Sequence, residues 1–314
     1  MTHAPATGEQ YALERGRQQA IVTQVGATLR SWRLDGVELL DTFGLDSPGT
    51  AYRGKVLMPW PNRLRGGRYS FAGVDQATAL TEPERGNAMH GLVTSVDWDV
   101  ARRTESSVTL THRLHAQPGY PHDLELGVDY ALTDDGLEVT LRAANPGDKP
   151  APFGAGLHPY LSLGESRADD AWLRVPARAW LPVDDQHVPT GEAVPVEGMA
   201  NDFRAGRRIK DARIDTCFTD VTRDADGLAR VVLAYGTDEK RRMIVWMDKS
   251  YSHLQVYTSD EDPEPGRRRR SIAVEPMTCA PDAFNNGRGL LVLEPGDRFR
   301  GRCGMTPVAG HGTR

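Results

Sequence analysis

Leu124–Ala143 reads L-E-L-G-V-D-Y-A-L-T-D-D-G-L-E-V-T-L-R-A. Leucine, valine and tyrosine recur at every second position on both sides of Thr133-Asp134-Asp135-Gly136, a turn signal. A period of two sends one face of an extended chain into a core and leaves the other to water. The segment therefore predicts two antiparallel strands and a tight turn. The pattern recurs outward. Gly26–Leu40 alternates and turns at Asp35-Gly36, Arg68–Val74 ends at Gly73, and Val108–Leu114 repeats the alternation. Ala229–Tyr235, Arg242–Met247, Leu254–Thr258 and Gly289–Leu293 follow, the last before a turn at Pro295-Gly296. Helical candidates are few, with Pro281–Asn285 a possible single turn. Short strands and turns at this spacing predict an all-β fold, a large antiparallel β-sandwich. The 32 Gly and 21 Pro are spread throughout, without linker or repeat. Residues 1–314 thus read as a single domain, with 1–12 as a loosely ordered N-terminal tail.

The chain has 314 residues, and its 38 Lys+Arg against 43 Asp+Glu give a net charge of −5. That balance argues against nucleic acid or an anionic membrane as the main partner. Hydrophobic content of 39% with 26% charge suits a soluble globular protein. No apolar run approaches a membrane span, and the first ten residues lack the basic-then-apolar layout of a signal peptide. Cys217, Cys279 and Cys303 are too scattered for a disulfide framework or a zinc site. A reducing cytoplasm is the simplest expectation, with a monomer or homodimer as the assembly.

Chemistry-bearing residues sit at strand ends. Arg269–Pro281, R-R-S-I-A-V-E-P-M-T-C-A-P, places Glu275 after an apolar run and before Pro276, where a strand is expected to end. A carboxyl in apolar surroundings has a raised pKa and can exchange protons near neutral pH. Two histidine segments read the same way, N-A-M-H-G-L around His90 and G-L-H-P-Y-L around His158. Pro159 pushes His158 toward extended geometry, which holds the imidazole rigidly for proton transfer. Arg63, in P-W-P-N-R-L-R-G-G-R-Y-S-F, offers a fork of donors to hydroxyl or carboxylate oxygens, or else ties down loop carbonyls. Trp60 in the same stretch either stacks on a sugar or packs the loop. Asp215, in R-I-D-T-C-F, is an acid inside an apolar strand that could fix an arginine or accept bonds from substrate hydroxyls.

Together N-R-x-x-x-G-x-Y, N-x-x-H-G, G-x-H-P-Y, I-D-x-x-F-T and V-E-P-M-T-C-A-P-D-A-F-N occur in an order and spacing that resembles the aldose 1-epimerases, or galactose mutarotases. The resemblance runs from Gly26-Ala27 to Leu293–Asp297. It implies a β-supersandwich that binds a free monosaccharide in an open cleft and interconverts its α and β anomers with no cofactor and no metal. By the same match, Glu275 is the general base on the anomeric hydroxyl and His158 the general acid on the ring oxygen. His90 would hydrogen-bond at the reacting centre, and Arg63 and Asp215 would hold sugar hydroxyls. Two alternatives accompany this reading. The run Arg267–Arg270, with Arg65 and Arg68, is either a solvated loop neutralised by Asp260–Gly266 or a phosphate-binding rim for a hexose 6-phosphate. A non-catalytic sugar-binding or sensing protein would keep the cleft without the chemistry.

Overall fold

Leu124–Leu132 pairs antiparallel with Leu137–Ala144 in the register Val128↔Leu141 and Tyr130↔Val139, whose four side chains are fully buried. The hairpin lies inside a nine-stranded sheet in the order Asp99–Arg103, Ser107–Leu114, Leu124–Leu132, Leu137–Ala144, Arg298–Ala309, Arg241–Met247, Ala229–Tyr235, Trp172–Arg174 and Arg207–Arg208. The computed structural model describes residues 5–47, 49–236 and 239–309. A second, eight-stranded sheet runs Val194–Pro195, Ala177–Trp180, Asp215–Val221, His253–Tyr257, Ser271–Met277, Gly156–Leu157 and Val56–Leu57, with Tyr160–Ser162 also pairing with Ser271–Met277. Both sheets are antiparallel, and their inward faces share one apolar cluster that reaches from Tyr11 to Met305. Each fully buried Leu or Val in it contributes roughly 1.5–3 kcal/mol. Among the described residues, the α-helix is confined to one turn at Ala283–Asn286. The expected all-β sandwich is the fold.

The expected loose tail over residues 1–12 is corrected within the described part. Gln10–Arg15 pairs with Gln18–Thr23 in the register Leu13↔Ala20 and Tyr11↔Val22, and all four side chains are buried. The polar Gly8-Glu9-Gln10 masked the alternation of Tyr11 and Leu13. Residues 1–4 lie outside the described residues. The 12-residue strand Arg298–Ala309 was also missed. Its outward half is Arg298, Arg300 and Arg302, and its inward half includes Gly301, so a true period of two carried little hydrophobic contrast.

Strand Ser271–Met277 also differs from expectation, because it runs through Pro276 instead of stopping at Glu275. Pro276 lacks an N–H, which a central ladder normally requires. Here the neighbour on one side is interrupted. Gly156 pairs at Met277, Tyr160 pairs again at Ala273, and His158-Pro159 lies between. The gap removes the demand for a ladder bond and creates the opening in which His158 meets Glu275.

Beside that opening, Arg53 is 1% exposed. Its guanidinium pairs with Asp41 at 2.9 Å and with Asp262, and it lies 4.8 Å from the Tyr160 ring centroid. Removing one partner of a buried ion pair strands the other charge. Arg53→Met is expected to lower the unfolding free energy by about 3–5 kcal/mol in urea titrations, because the Asp262 carboxyl stays buried without its cation.

Candidate active site

Register places the acids and amides of the site on one face of the eight-stranded sheet. Cys217 faces Gln255, Gln255 faces Glu275, and Asp215 faces Tyr257. Side chains two apart on a strand share a face, so Asp215, Gln255, Tyr257 and Glu275 project together. His158 enters the same space from the interrupted neighbour, its backbone pinned by His158 N–H to Lys55 O at 3.0 Å and Gly54 N–H to His158 O at 2.8 Å. His158 Nε2 stands 3.4 Å from Glu275 Oε1.

The opposite wall comes from the two-stranded ribbon Arg63–Arg65 and Asn87–Met89. His90 N–H donates to Asn62 O at 2.9 Å, and Asn62 N–H donates back to His90 Nδ1 at 3.1 Å. With Nδ1 accepting, the ring proton of neutral His90 resides on Nε2, which is left as a donor toward the cleft. His90 has φ +60° and Gly91 φ +76°, and a Cβ on Gly91 would lie 1.9 Å from Met58 O, so the turn that aims His90 tolerates only glycine there. Arg63 is nearly buried and its fork is taken by Glu82, at 2.8 Å from Nε and 2.9 Å from Nη2. The fork thus meets a carboxylate, one of the uses the sequence offered, and among the described residues only Nη1 is without a protein partner.

Arg63, His90, His158, Asp215 and Glu275, the five residues singled out in the sequence, line one open cleft of about 220 Å³. That is below the ~300–1,000 Å³ of pockets for drug-sized ligands and on the scale of one sugar ring. The chemistry is set by burial. Desolvation, with a smaller push from Asp215, raises the Glu275 carboxyl well above the usual range. Desolvation, aided by the Arg53 charge, lowers His158 to about 3, and desolvation with His158 and Arg63 lowers His90 well below 6.5. Burial also opposes ionisation of Asp215, but the hydrogen bond from His187 and the charge of Arg63 win, so its carboxyl is held low. Burial therefore favours the neutral form of both groups, with the proton of the Glu275–His158 pair on the carboxyl and none on the imidazole. Glu275 Oε2, His158 Nδ1 and Gln255 Oε1 are buried without a protein hydrogen-bond partner, a concentration of unmet polar groups that suits a polar guest. Among the described residues no group of three or more His, Cys, Asp or Glu side chains is arranged to hold a metal ion.

The sequence matches the aldose 1-epimerase family over residues 9–306. The chain belongs to the aldose 1-epimerase family. It is accordingly an enzyme of the isomerase class. An uncharacterised Escherichia coli K12 protein, YihR, is 32% identical over 301 residues, covering 96% of this chain and 94% of YihR. The aldose 1-epimerase of the same organism is 30% identical over 274 residues, covering 80% and 77%. The crystal structure of a GalM/aldose epimerase homologue from Caenorhabditis elegans matches with a TM-score of 0.85 at 21% identity, over 96% of this chain and 99% of that one. At that identity the likeness speaks for the fold alone.

Other expectations for this epimerase fare differently. Trp60 is 3% exposed and packs edge-on against Phe284 at 5.6 Å, so it fills the loop and does not line the cleft. The arginine run is consumed by its own surroundings. Arg267 pairs with Asp41 at 2.6 Å, Arg269 with Asp260 at 2.6 Å and Asp169 at 3.0 Å, and Arg268 and Arg270 donate to the carbonyls of Asp262 and Glu165. None of the four lines the cleft, and Arg65 is held by Asp184 and Gln186. Glu82, Gln255, Tyr160 and His187 were missed. Glu82 lies in a loop with no hydrophobic period, and Gln255 and His187 have meaning only through Asp215, which they bond. Tyr160, stacked on His158 at 4.9 Å, was quoted within G-L-H-P-Y-L but given no role.

Proposed function

We propose that this single-domain protein is a cofactor-independent aldose 1-epimerase that interconverts the α and β anomers of a free hexose such as glucose or galactose, in the cytoplasm. The observation that carries the reading is the His158–Glu275 pair, 3.4 Å apart and sharing one cleft with Arg63, His90 and Asp215. Ring opening takes the proton from the anomeric hydroxyl O1 and delivers one to the ring oxygen O5, breaking C1–O5 and leaving a C1 aldehyde. Ionised Glu275 is the base and protonated His158 the acid. The step ends with a neutral carboxyl and a neutral imidazole, the distribution that burial favours in the empty cleft. Desolvation thus drives both protons in the direction of opening. Rotation about C1–C2 presents the other face of the aldehyde. Closure then reverses both transfers, with His158 taking the O5 proton and Glu275 returning one to O1. His90 Nε2–H and the free Nη1 of Arg63 are placed to hold oxygens while C1 turns.

The unphosphorylated substrate is supported by the fate of the Arg267–Arg270 run and by the remaining cleft arginine, Arg85, which is itself paired with Glu82 at 3.3 Å and Glu261 at 2.6 Å. Among the described residues, both arginines that line the cleft, Arg63 and Arg85, already have a carboxylate partner. The presence of both His158 and Glu275 favours catalysis over a sensing role.

Polarimetry on freshly dissolved α-glucose and α-galactose is expected to show accelerated equilibration, with glucose 6-phosphate slower. Glu275→Gln should lower kcat by about 10²–10⁴-fold with the far-UV spectrum unchanged; equal rates in variant and wild type would remove Glu275 from the reaction. The pH profile follows from the shared proton. A second proton enters the pair only near the depressed value of His158, about 3, and the single proton leaves only above the ordinary carboxylate range. The acid limb of kcat/KM is therefore expected near 3, whereas an imidazole of ordinary pKa would put it near 6.5, and the alkaline limb is expected above the ordinary carboxylate range.

A further inference from the structure

Gln255 lies directly across from Glu275 in the antiparallel pair His253–Tyr257 and Ser271–Met277. Opposed side chains in such a pair are close neighbours on one face. The Gln255 amide has no freedom to choose its orientation. Its Nε2 donates to Asp215 Oδ1, and Asp215 Oδ2 meets His187 Nδ1 at 2.9 Å. A carboxylate only accepts, so the NH₂ end must face Asp215 and the carbonyl end must face away. That leaves Gln255 Oε1 buried with no donor, on the row where Glu275 Oε2 is buried with no partner. Two acceptors cannot satisfy one another. A protonated carboxyl can, by donating its O–H to the amide oxygen.

We propose that Gln255, locked by Asp215 and His187, is a positioning residue that receives the Glu275 O–H and so holds the catalytic proton on the carboxyl whenever the sugar is open or the cleft is empty. This deepens the acid–base reading above and rests on it for its catalytic meaning, though the hydrogen bond itself does not. Of the other titratable groups facing Glu275, Asp215 and Arg63 act through charge. From strand Asp215–Val221 the facing groups are Asp215 and Cys217, from His253–Tyr257 Tyr257, and from the interrupted neighbour His158 and Tyr160; Arg63 faces it from the opposite ribbon. Asp215 raises the proton affinity of Glu275 and Arg63 lowers it, both secondary to burial. Gln255 alone among the neighbours on this row offers a neutral acceptor with nothing else to accept.

The sign is fixed. Removing an acceptor of the protonated form makes that form less stable, so the proton leaves at lower pH. Gln255→Met keeps the length without the acceptor, and Gln255→Glu keeps an acceptor while adding charge. Carbon-13 NMR of the Glu275 side-chain carboxyl, assigned by its loss in Glu275→Gln, follows the titration in the empty protein without any sugar. Relative to wild type, the midpoint is expected to fall by about one pH unit in Gln255→Met, the worth of one ordinary hydrogen bond. In Gln255→Glu it should not fall. The alkaline limb of the kcat/KM profile should move with it in Gln255→Met, by the same shift. An unmoved midpoint in Gln255→Met, or a lowered one in Gln255→Glu, overturns the proposal, and the second variant decides if the first does not fold. A protein inactive on every aldose but showing the NMR shift would sink the epimerase reading and leave this contact standing.

Discussion

A carboxyl group buried on a central strand, 3.4 Å from a buried imidazole, is the constraint around which the rest of the molecule is arranged. Placing Glu275 and His158 in a sandwich interior leaves several polar atoms without partners, and each such atom costs roughly 1–3 kcal/mol. The fold supplies the offset from elsewhere. Two sheets share a cluster of apolar residues drawn from nearly the whole chain, so the site can remain unsatisfied without the core giving way. The opening itself is a local event. Pro276 and the departure of His158-Pro159 from the ladder interrupt pairing on one side of Ser271–Met277, and the Glu275 and His158 side chains meet at the gap.

Around the gap, charges are neutralised before any substrate arrives. Asp41 accepts from Arg53, Arg267 and Ser271, tying the first third of the chain to the arginine-rich loop near its end. Arg53 carries that tie inward to the Tyr160 ring, which stacks on His158 at an interplanar angle of 10° and meets Tyr257 edge-on. The arginine run is thus part of the scaffold around His158. Its ion pairs span 3 to 226 residues of sequence, and the distant ones could not be read from composition.

Much of the architecture was legible because strand periodicity is a local property. Ala229–Tyr235 and the Leu124–Ala144 hairpin announce themselves, as does the turn at Asp35-Gly36, where both residues adopt positive φ. Periodicity failed where its contrast was weak, in the arginine-and-glycine strand Arg298–Ala309 and the short strand Gln10–Arg15. The candidate site was legible to the extent that residue type and neighbours carry chemistry. Five positions drawn from five segments were singled out, and all five line one cleft. What stayed hidden was the second layer. Nothing in the sequence links Arg63 to Glu82, or Gln255 to Asp215, since those pairs exist only after the sheets and ribbon have closed. The sequence offered the Arg63 fork a hydroxyl, a carboxylate or a loop carbonyl, and only the folded chain shows that the partner is Glu82.

That second layer explains how the proposed chemistry can be confined to one mobile proton. Glu82 fixes Arg63, His187 and Gln255 fix Asp215, and Asn62 fixes the tautomer of His90. In the proposed reaction each of these groups would meet the sugar with its charge and orientation already set, so binding need not reorganise them. Only the Glu275–His158 pair retains a choice, and its single proton has two places to reside. Burial favours the carboxyl, the state that accompanies an open chain, while a closed ring requires the proton on the imidazole. A reversible anomer exchange needs both states within reach. Burial biases the pair toward its neutral forms, so in the proposed reaction contacts with the sugar oxygens must offset that bias each time the ring closes.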